Sequence, residues 1–138
     1  IAGLSMGGYG AMMLAMRHPE TFSVACSHSG AVGFLSDAVE PPRDRPNKAA
    51  WAQVLPREQY DCFRLAERLA AGPHELALRL DCGTGDFLLN HNRAFHAHLD
   101  ALGINHVYEE HPGEHNWAYW DEHVVQTLRF VTERVSRR

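Results

Sequence analysis

The residues best placed to do chemistry stand at the start of the chain, where Ser5 lies between Gly3 and Gly7 in a Gly-x-Ser-x-Gly pattern. The apolar residues before it read as the end of a strand, and those after it read as a helix. A serine on such a sharp strand-to-helix turn has its hydroxyl pushed clear of the backbone. Side chains at Gly3 and Gly7 are expected to crowd the neighbouring strand and helix, and glycine tolerates strained dihedrals. The helix that follows turns its first N–H groups toward any anion forming beside Ser5. This is the arrangement of a nucleophilic serine in acyl transfer; the plain alternative is a turn serine.

A serine hydroxyl acts as a nucleophile when a base takes its proton and a carboxylate orients that base. Where the serine sits on this kind of turn, the partners follow it in the order acid, then histidine. Asp86 is the best acid, because it falls in the Gly83-Thr84-Gly85-Asp86 loop just beyond a strand. Asp81 is the rival, but inside the strand it would aim into the sheet packing. For the base, His115 lies in the Pro-Gly loop after the last strand and can reach back over Ser5; His111 and His123 are the alternatives. His28 reads as a strand-end histidine packed near the site. His96 and His98 sit on a helix at a spacing that points their rings apart, and neither an HExxH motif nor a Cys/His set is present. The reading is therefore of surface histidines and no metal.

These residues need elements to hold them. Gly8 to Arg17 carries Tyr9, Met12, Met13 and Met16 on one helical stripe, and His18-Pro19 stops it. Phe22 to Ser29 reads as a strand, Asp61 to Ala71 as an amphipathic helix closed by Gly72-Pro73, and Ala77 to Cys82 as a strand. Asn90 to Leu102 reads as a helix with Phe95, Leu99 and Leu102 inward, and Asn105 to Glu110 as a strand. Trp120, Val124, Leu128, Val131 and Val135 then recur at helical spacing. Between Ala31 and about Pro56 the periodicity fails among prolines. A short helix over 47–54 anchored by Trp51 is expected there, in a segment that either lies over the site or is a surface loop. Strands alternating with helices imply a parallel sheet, and ligands bind such sheets at the carboxyl ends of the strands. Ser5, Asp86 and His115 each follow such an end.

The chain has 138 residues, 45% of them hydrophobic, which suffices for one domain. Its 13 basic and 17 acidic side chains give a formal charge of −4, which points away from nucleic acid and anionic membrane surfaces as partners. No apolar run is long enough to span a bilayer. Cys26, Cys62 and Cys82 lack a CxxC spacing, and an odd, low count fits a reducing, cytoplasmic compartment. There is no starting methionine and the sequence opens inside a strand, so it reads as the C-terminal portion of a longer polypeptide, of which a signal peptide could have been part. The oligomeric state is not legible.

Four blocks carry a resemblance: Gly-Leu-Ser-Met-Gly-Gly-Tyr-Gly-Ala (3–11), Arg-His-Pro-Glu-Thr-Phe (17–22), Cys-Gly-Thr-Gly-Asp-Phe-Leu (82–88) and Pro-Gly-Glu-His-Asn-Trp-Ala-Tyr-Trp (112–120). In this order they resemble the esterase D-like family of α/β-hydrolases, which includes S-formylglutathione hydrolases, feruloyl and acetylxylan esterases and mycolyltransferases. The last block is most similar to tributyrin-type short-chain esterases. The resemblance implies the C-terminal portion of an α/β-hydrolase fold, a parallel sheet with flanking helices whose N-terminal strands are missing. Residues 1–138 would form one partial domain with 31–60 as a lid or cap-like insertion. It implies a serine esterase acting on short-chain acyl or aryl esters or thioesters, with Ser5 as nucleophile, Asp86 as acid, His115 as base and no cofactor. The Met6 N–H would supply one oxyanion-hole donor; the family's other donor lies on a loop after an early strand that this chain does not contain. The alternatives are acyl transfer to an acceptor other than water, and a non-catalytic fragment.

Overall fold

The computed structural model describes residues 1–40, 50 and 53–136. Four strands, β1 (Ala2–Leu4), β2 (Val24–His28), β3 (Ala77–Gly83) and β4 (His106–His111), form one sheet in sequence order, and every neighbouring pair is parallel. The connections are α1 (Met6–Arg17), the short α2 (Arg57–Tyr60), α3 (Cys62–Ala71) and α4 (Leu89–Ala101), and α5 (Trp117–Val135) closes the chain. This is the α/β architecture the alternating pattern predicts, with most boundaries displaced by a residue or two.

Strand side chains alternate between faces, and here the alternation sorts them into two unlike layers. Ala25, Leu78 and Leu80 point to the side covered by α1, α3 and α4, where they pack with Met12, Met16, Leu65, Leu69, Phe95 and Leu99. The α3 stripe of Cys62, Leu65, Ala66 and Leu69 is buried as its spacing predicts, and Asp61 caps the helix by accepting the Phe63 N–H at 3.0 Å. All three cysteines are free and buried, and burial pushes the Cys26 thiol up to about 11. In the irregular stretch after β2, Val32 and Val39 are buried in this same layer, and the Tyr60 carbonyl in α2 accepts a bond from the Tyr9 hydroxyl. Residues 47–49, 51 and 52 of the expected helix over 47–54, Trp51 among them, lie outside the described residues, as do 41–46 before it.

The other face is narrower and polar. Among the described residues an apolar cluster there joins Val24, Cys26 and Phe130 with Ala77, Val107 and Val131. Beside them Arg79, only 2% exposed, pairs with Asp81 and Glu109 and donates to Thr127 Oγ1 at 3.2 Å. Asp81 also takes the Tyr119 hydroxyl at 3.1 Å and His28 Nδ1 at 2.8 Å, while His28 Nε2 lies 2.9 Å from Thr127 Oγ1. Consequently α5 buries Tyr119, Trp120, His123, Thr127 and Phe130 against the sheet. Of the apolar series that identified this helix, Trp120 is buried but Val124, Leu128 and Val135 are exposed. A sheet face built on an arginine and an aspartate needs hydroxyl and imidazole partners, so the helix turns its polar stripe inward. Among the described residues no helix is long and apolar enough to cross a membrane.

The glycines beside Ser5 separate in a way the pattern did not show. A Cβ on Gly3 would lie 2.2 Å from the Gly7 carbonyl oxygen, and one on Gly8 would lie 2.5 Å from Ser27 Oγ and 3.0 Å from Gly30 Cα. A Cβ on Gly7 meets nothing within 4 Å among the described residues, so the crowding expected at Gly7 belongs to Gly8 instead.

Two predictions follow from this packing. Gly3→Ala should cost about 1–3 kcal/mol of stability through overpacking against backbone, whereas Gly7→Ala should be neutral or raise the melting temperature, since alanine is favoured over glycine in helices by about 1 kcal/mol; urea melts giving the reverse ranking would refute the contact analysis. Asp81 is held below the usual carboxylate range: burial pushes its carboxyl up, and the bonds and charges of His28 and Arg79 more than offset that. Its lowered folded-state value means that it stabilises the fold above its unfolded pKa of about 3.9, and that this contribution is lost as pH falls from there toward the folded value. Asp81→Asn should therefore lower the urea midpoint clearly at pH 6 and by much less at pH 3, and a gap independent of pH would contradict the assignment.

Candidate active site

Ser5 occupies the junction of β1 and α1 with φ 55° and ψ −120°, a left-handed backbone that non-glycine residues seldom adopt. Three backbone bonds hold it there. Its N–H donates to the His28 carbonyl at 2.8 Å, and its own carbonyl accepts from Tyr9 and Ala31 at 3.1 Å each. Such over-determination is what allows a strained residue to persist. Met6 opens α1, so its N–H is among those the helix leaves without an internal acceptor.

Asp86 and His115 come from the loops after β3 and β4, and these loops are stitched to each other. Thr84 N–H donates to the His111 carbonyl at 2.9 Å, and Gly85 N–H to the Gly113 carbonyl at 2.8 Å. The approach is so close that a Cβ on Gly83 would lie 2.5 Å from the Gly113 oxygen, and Gly113 itself has φ +145°. Asp86 and His115 are thus placed relative to one another by backbone, before their side chains meet.

Those side chains form one connected line with Ser5. His115 Nε2 lies 2.9 Å from Ser5 Oγ, and His115 Nδ1 lies 2.9 Å from Asp86 Oδ2. The Asp86 side chain is fully buried, and its Oδ1 accepts the Leu88 N–H at 2.8 Å. A carboxylate can only accept, so Nδ1 carries the ring hydrogen and the Nε2 lone pair faces the serine hydroxyl. The His115 ring is flanked by Phe87 at 4.5 Å and by Trp120, edge-on, at 5.0 Å. Trp120 is itself fixed by a bond from Nε1 to Ser29 Oγ at 3.1 Å. Phe87 and Trp117 are both more than half or about half exposed beside this ring pair.

The alternative partners are engaged elsewhere. Asp81 faces α5 with its oxygens taken by His28, Arg79 and Tyr119. His111 and His123 stack on each other at 4.2 Å, and burial, then the neighbouring His111, holds His123 below the usual imidazole range. The line Thr127–His28–Asp81 has the same connectivity as Ser5–His115–Asp86, yet Thr127 is 3% exposed and already bonded by the Arg79 guanidinium. No substrate carbonyl can reach that hydroxyl. His28 was expected near the site; only its carbonyl serves Ser5, while its ring points to the opposite layer. This second network went unread in the sequence, although Arg79 and Asp81, two apart in a strand and so on one face, were a legible signal. The contributions of Ser29 and Trp120 left no such signal. A group close enough to hold a metal ion, His96, Asp100 and His106, lies at the amino end of β4, away from Ser5.

The Esterase family matches residues 1–131 of the chain. An acetyl esterase of Caldicellulosiruptor saccharolyticus is 27% identical over 144 residues, covering 96% of this chain and 54% of that protein. Among solved structures, a ferulic acid esterase superposes with a TM-score of 0.75 at 32% identity, over 96% of this chain and 50% of its own. The S-formylglutathione hydrolase of Staphylococcus aureus superposes with a TM-score of 0.77 at 26% identity, over 94% of this chain and 52% of its own. The chain thus spans about half the length of each of these proteins. With the family matched over nearly all its residues, and with the parallel sheet of α/β-hydrolase esterases, the chain belongs to the Esterase family.

Proposed function

We propose that the chain carries the Ser-His-Asp site of a serine esterase that hydrolyses short-chain acyl or aryl carboxylic esters and thioesters. The observation that supports this most is the unbroken hydrogen-bonded line from Ser5 Oγ through both nitrogens of His115 to a buried, doubly bonded Asp86. In this reading Ser5 Oγ attacks the substrate carbonyl while His115 Nε2 takes its proton. The tetrahedral oxyanion is met by the Met6 N–H and the amino end of α1. The intermediate collapses to an acyl-serine as His115 returns the proton to the departing alcohol or thiol. Water then attacks the acyl group, giving its proton to His115, and the acid leaves as Ser5 regains its hydrogen. Asp86 holds His115 in the tautomer these steps require and stabilises the imidazolium formed between them.

The substrate class rests on two supports. The relatives' names specify acetyl, feruloyl and S-formyl groups, all carried as esters or thioesters. The half-exposed ring of Phe87 beside His115 offers an apolar surface suited to an aryl or short acyl group.

A fluorophosphonate probe should label the protein at Ser5 and leave Ser5→Ala unlabelled with its fold retained, and turnover of a chromogenic acetyl ester surviving that substitution would sink the serine mechanism. Asp86→Asn should lower turnover by roughly 10⁴-fold through the wrong histidine tautomer, while Asp81→Asn should alter stability far more than turnover. An exchange of these two phenotypes would assign the acid to Asp81.

A further inference from the structure

At the turn between α4 and β4 three side chains converge that the esterase chemistry does not use. His96 and Asp100 lie one helical turn apart on α4, and His106 is the first residue of β4. The turn between them is tight: Gly103, at φ +69°, donates to the Asp100 carbonyl and Ile104 donates to that of Leu99, each at 3.0 Å. It delivers His106 Nε2 to 2.7 Å from His96 Nδ1 and 4.0 Å from Asp100 Oδ1, while His96 Nε2 lies 3.5 Å from Asp100 Oδ2.

Hydrogen accounting shows what this cluster lacks. His106 Nδ1 is 2.8 Å from the Ile104 carbonyl, which can only accept, so Nδ1 carries the hydrogen and Nε2 presents its lone pair. His96 Nδ1 must then be the donor in the 2.7 Å contact, which leaves a neutral His96 with a lone pair on Nε2 turned toward the Asp100 carboxylate. The His106 Nε2 lone pair takes the His96 N–H, and the lone pair left on His96 Nε2 faces the Asp100 carboxylate at 3.5 Å with no hydrogen to share. A backbone carbonyl fixing the far nitrogen of a ligand is also how metal-binding histidines are oriented.

We propose that His96, Asp100 and His106 form a site for a borderline transition-metal ion, of the kind two imidazoles and one carboxylate prefer: Zn²⁺, Co²⁺, Ni²⁺ or Cu²⁺ rather than Mg²⁺ or Ca²⁺. His106 binds through Nε2, Asp100 through a carboxylate oxygen and His96 through one ring nitrogen. Ligand atoms held at about 2.0–2.1 Å around a tetrahedral centre stand about 3.3 Å apart. The separations of His106 Nε2 from His96 Nδ1, 2.7 Å, and from Asp100 Oδ1, 4.0 Å, bracket that spacing. The His106 ring is 2% exposed and stationary, whereas His96 and Asp100 are open to solvent at 35% and 61%, which gives the ion a route in and leaves a fourth position for water. The His96 ring is braced from its other side by stacking on Tyr108 at 4.3 Å. The site lies at the amino ends of the strands and Ser5 lies beyond the carboxyl end of β1, so the ion would clamp α4 to β4 without entering the ester chemistry. The partner of His96 is not its helical neighbour His98 but His106, ten residues on across the turn.

The test is titration of the chelator-stripped protein with Co²⁺, followed by visible absorption and calorimetry, and with Zn²⁺, followed by thermal melting. One equivalent should bind with the absorption of a low-coordinate nitrogen–oxygen site, and Zn²⁺ should raise the melting temperature by mass action. His96→Gln and Asp100→Asn, both at accessible positions, should each weaken binding by at least about 10- to 100-fold, the loss that even outer partners of metal ligands produce, while fluorophosphonate labelling of Ser5 stays unchanged. Failure of the parent protein to bind an equivalent of either ion would overturn the proposal. Equal binding by the parent and both variants would overturn it too, by placing the metal elsewhere.

Discussion

The arrangement depends on holding one residue, Ser5, in a backbone conformation it would not choose. A non-glycine residue in a sparsely populated φ/ψ region costs about 1–3 kcal/mol, and the chain offsets it with main-chain bonds to His28 in β2, to Ala31 beyond it and to Tyr9 in α1. Those bonds require α1 to lie almost against the sheet. That closeness is why Gly3 meets the Gly7 carbonyl and why Gly8 and Gly30 close over the Ser27 hydroxyl. The glycines of the motif therefore serve the approach of helix to strand more than any flexibility of the turn, and the one that follows Ser5 most directly in the pattern is the least constrained of them.

The rest of the site is an exercise in keeping two similar networks apart. The carboxyl ends of the strands and the sheet face under α5 each hold a hydroxyl, an imidazole and a carboxylate in line, and both carboxylates are buried. They differ in what surrounds the hydroxyl. Ser5 stands at the carboxyl end of β1 with a helix terminus beside it, while Thr127 is enclosed between a strand and a helix and shares its oxygen with Arg79. Connectivity alone does not distinguish a reactive line from a structural one; access to a carbonyl does. A strand end provides that access, and a strand interior withholds it.

Much of this was legible before any coordinates. The positions of Ser5, Asp86 and His115 follow from where three parallel strands end, and strand ends are marked by glycine and by loss of periodicity at 83–86 and 111–115. The inward stripes of α1 and α3 were equally plain, because an apolar layer faces them. What could not be read depended on contacts distant in sequence. The inner face of α5 was misjudged because its apolar series was the strongest periodic signal, and the sheet face it meets is charged. The His96–His106 pair required knowing how tightly the chain turns at Gly103, and the role of Gly8 required knowing that Ser27 lies beneath it.

The polar underside of α5 bears on the site as well as on stability. Buried ion pairs contribute little net stability against apolar side chains of the same size, but they accept few alternative arrangements. An apolar helix could slide along the sheet at small cost. One that must align Tyr119 with Asp81, Thr127 with His28 and Arg79, and Trp120 with Ser29 has a single register. Trp117 begins this helix two residues after His115, and Trp120 rests edge-on against the imidazole. The contacts that fix α5 on the sheet therefore also fix Trp120, the ring that rests against His115, from a face of the sheet that Ser5 does not touch.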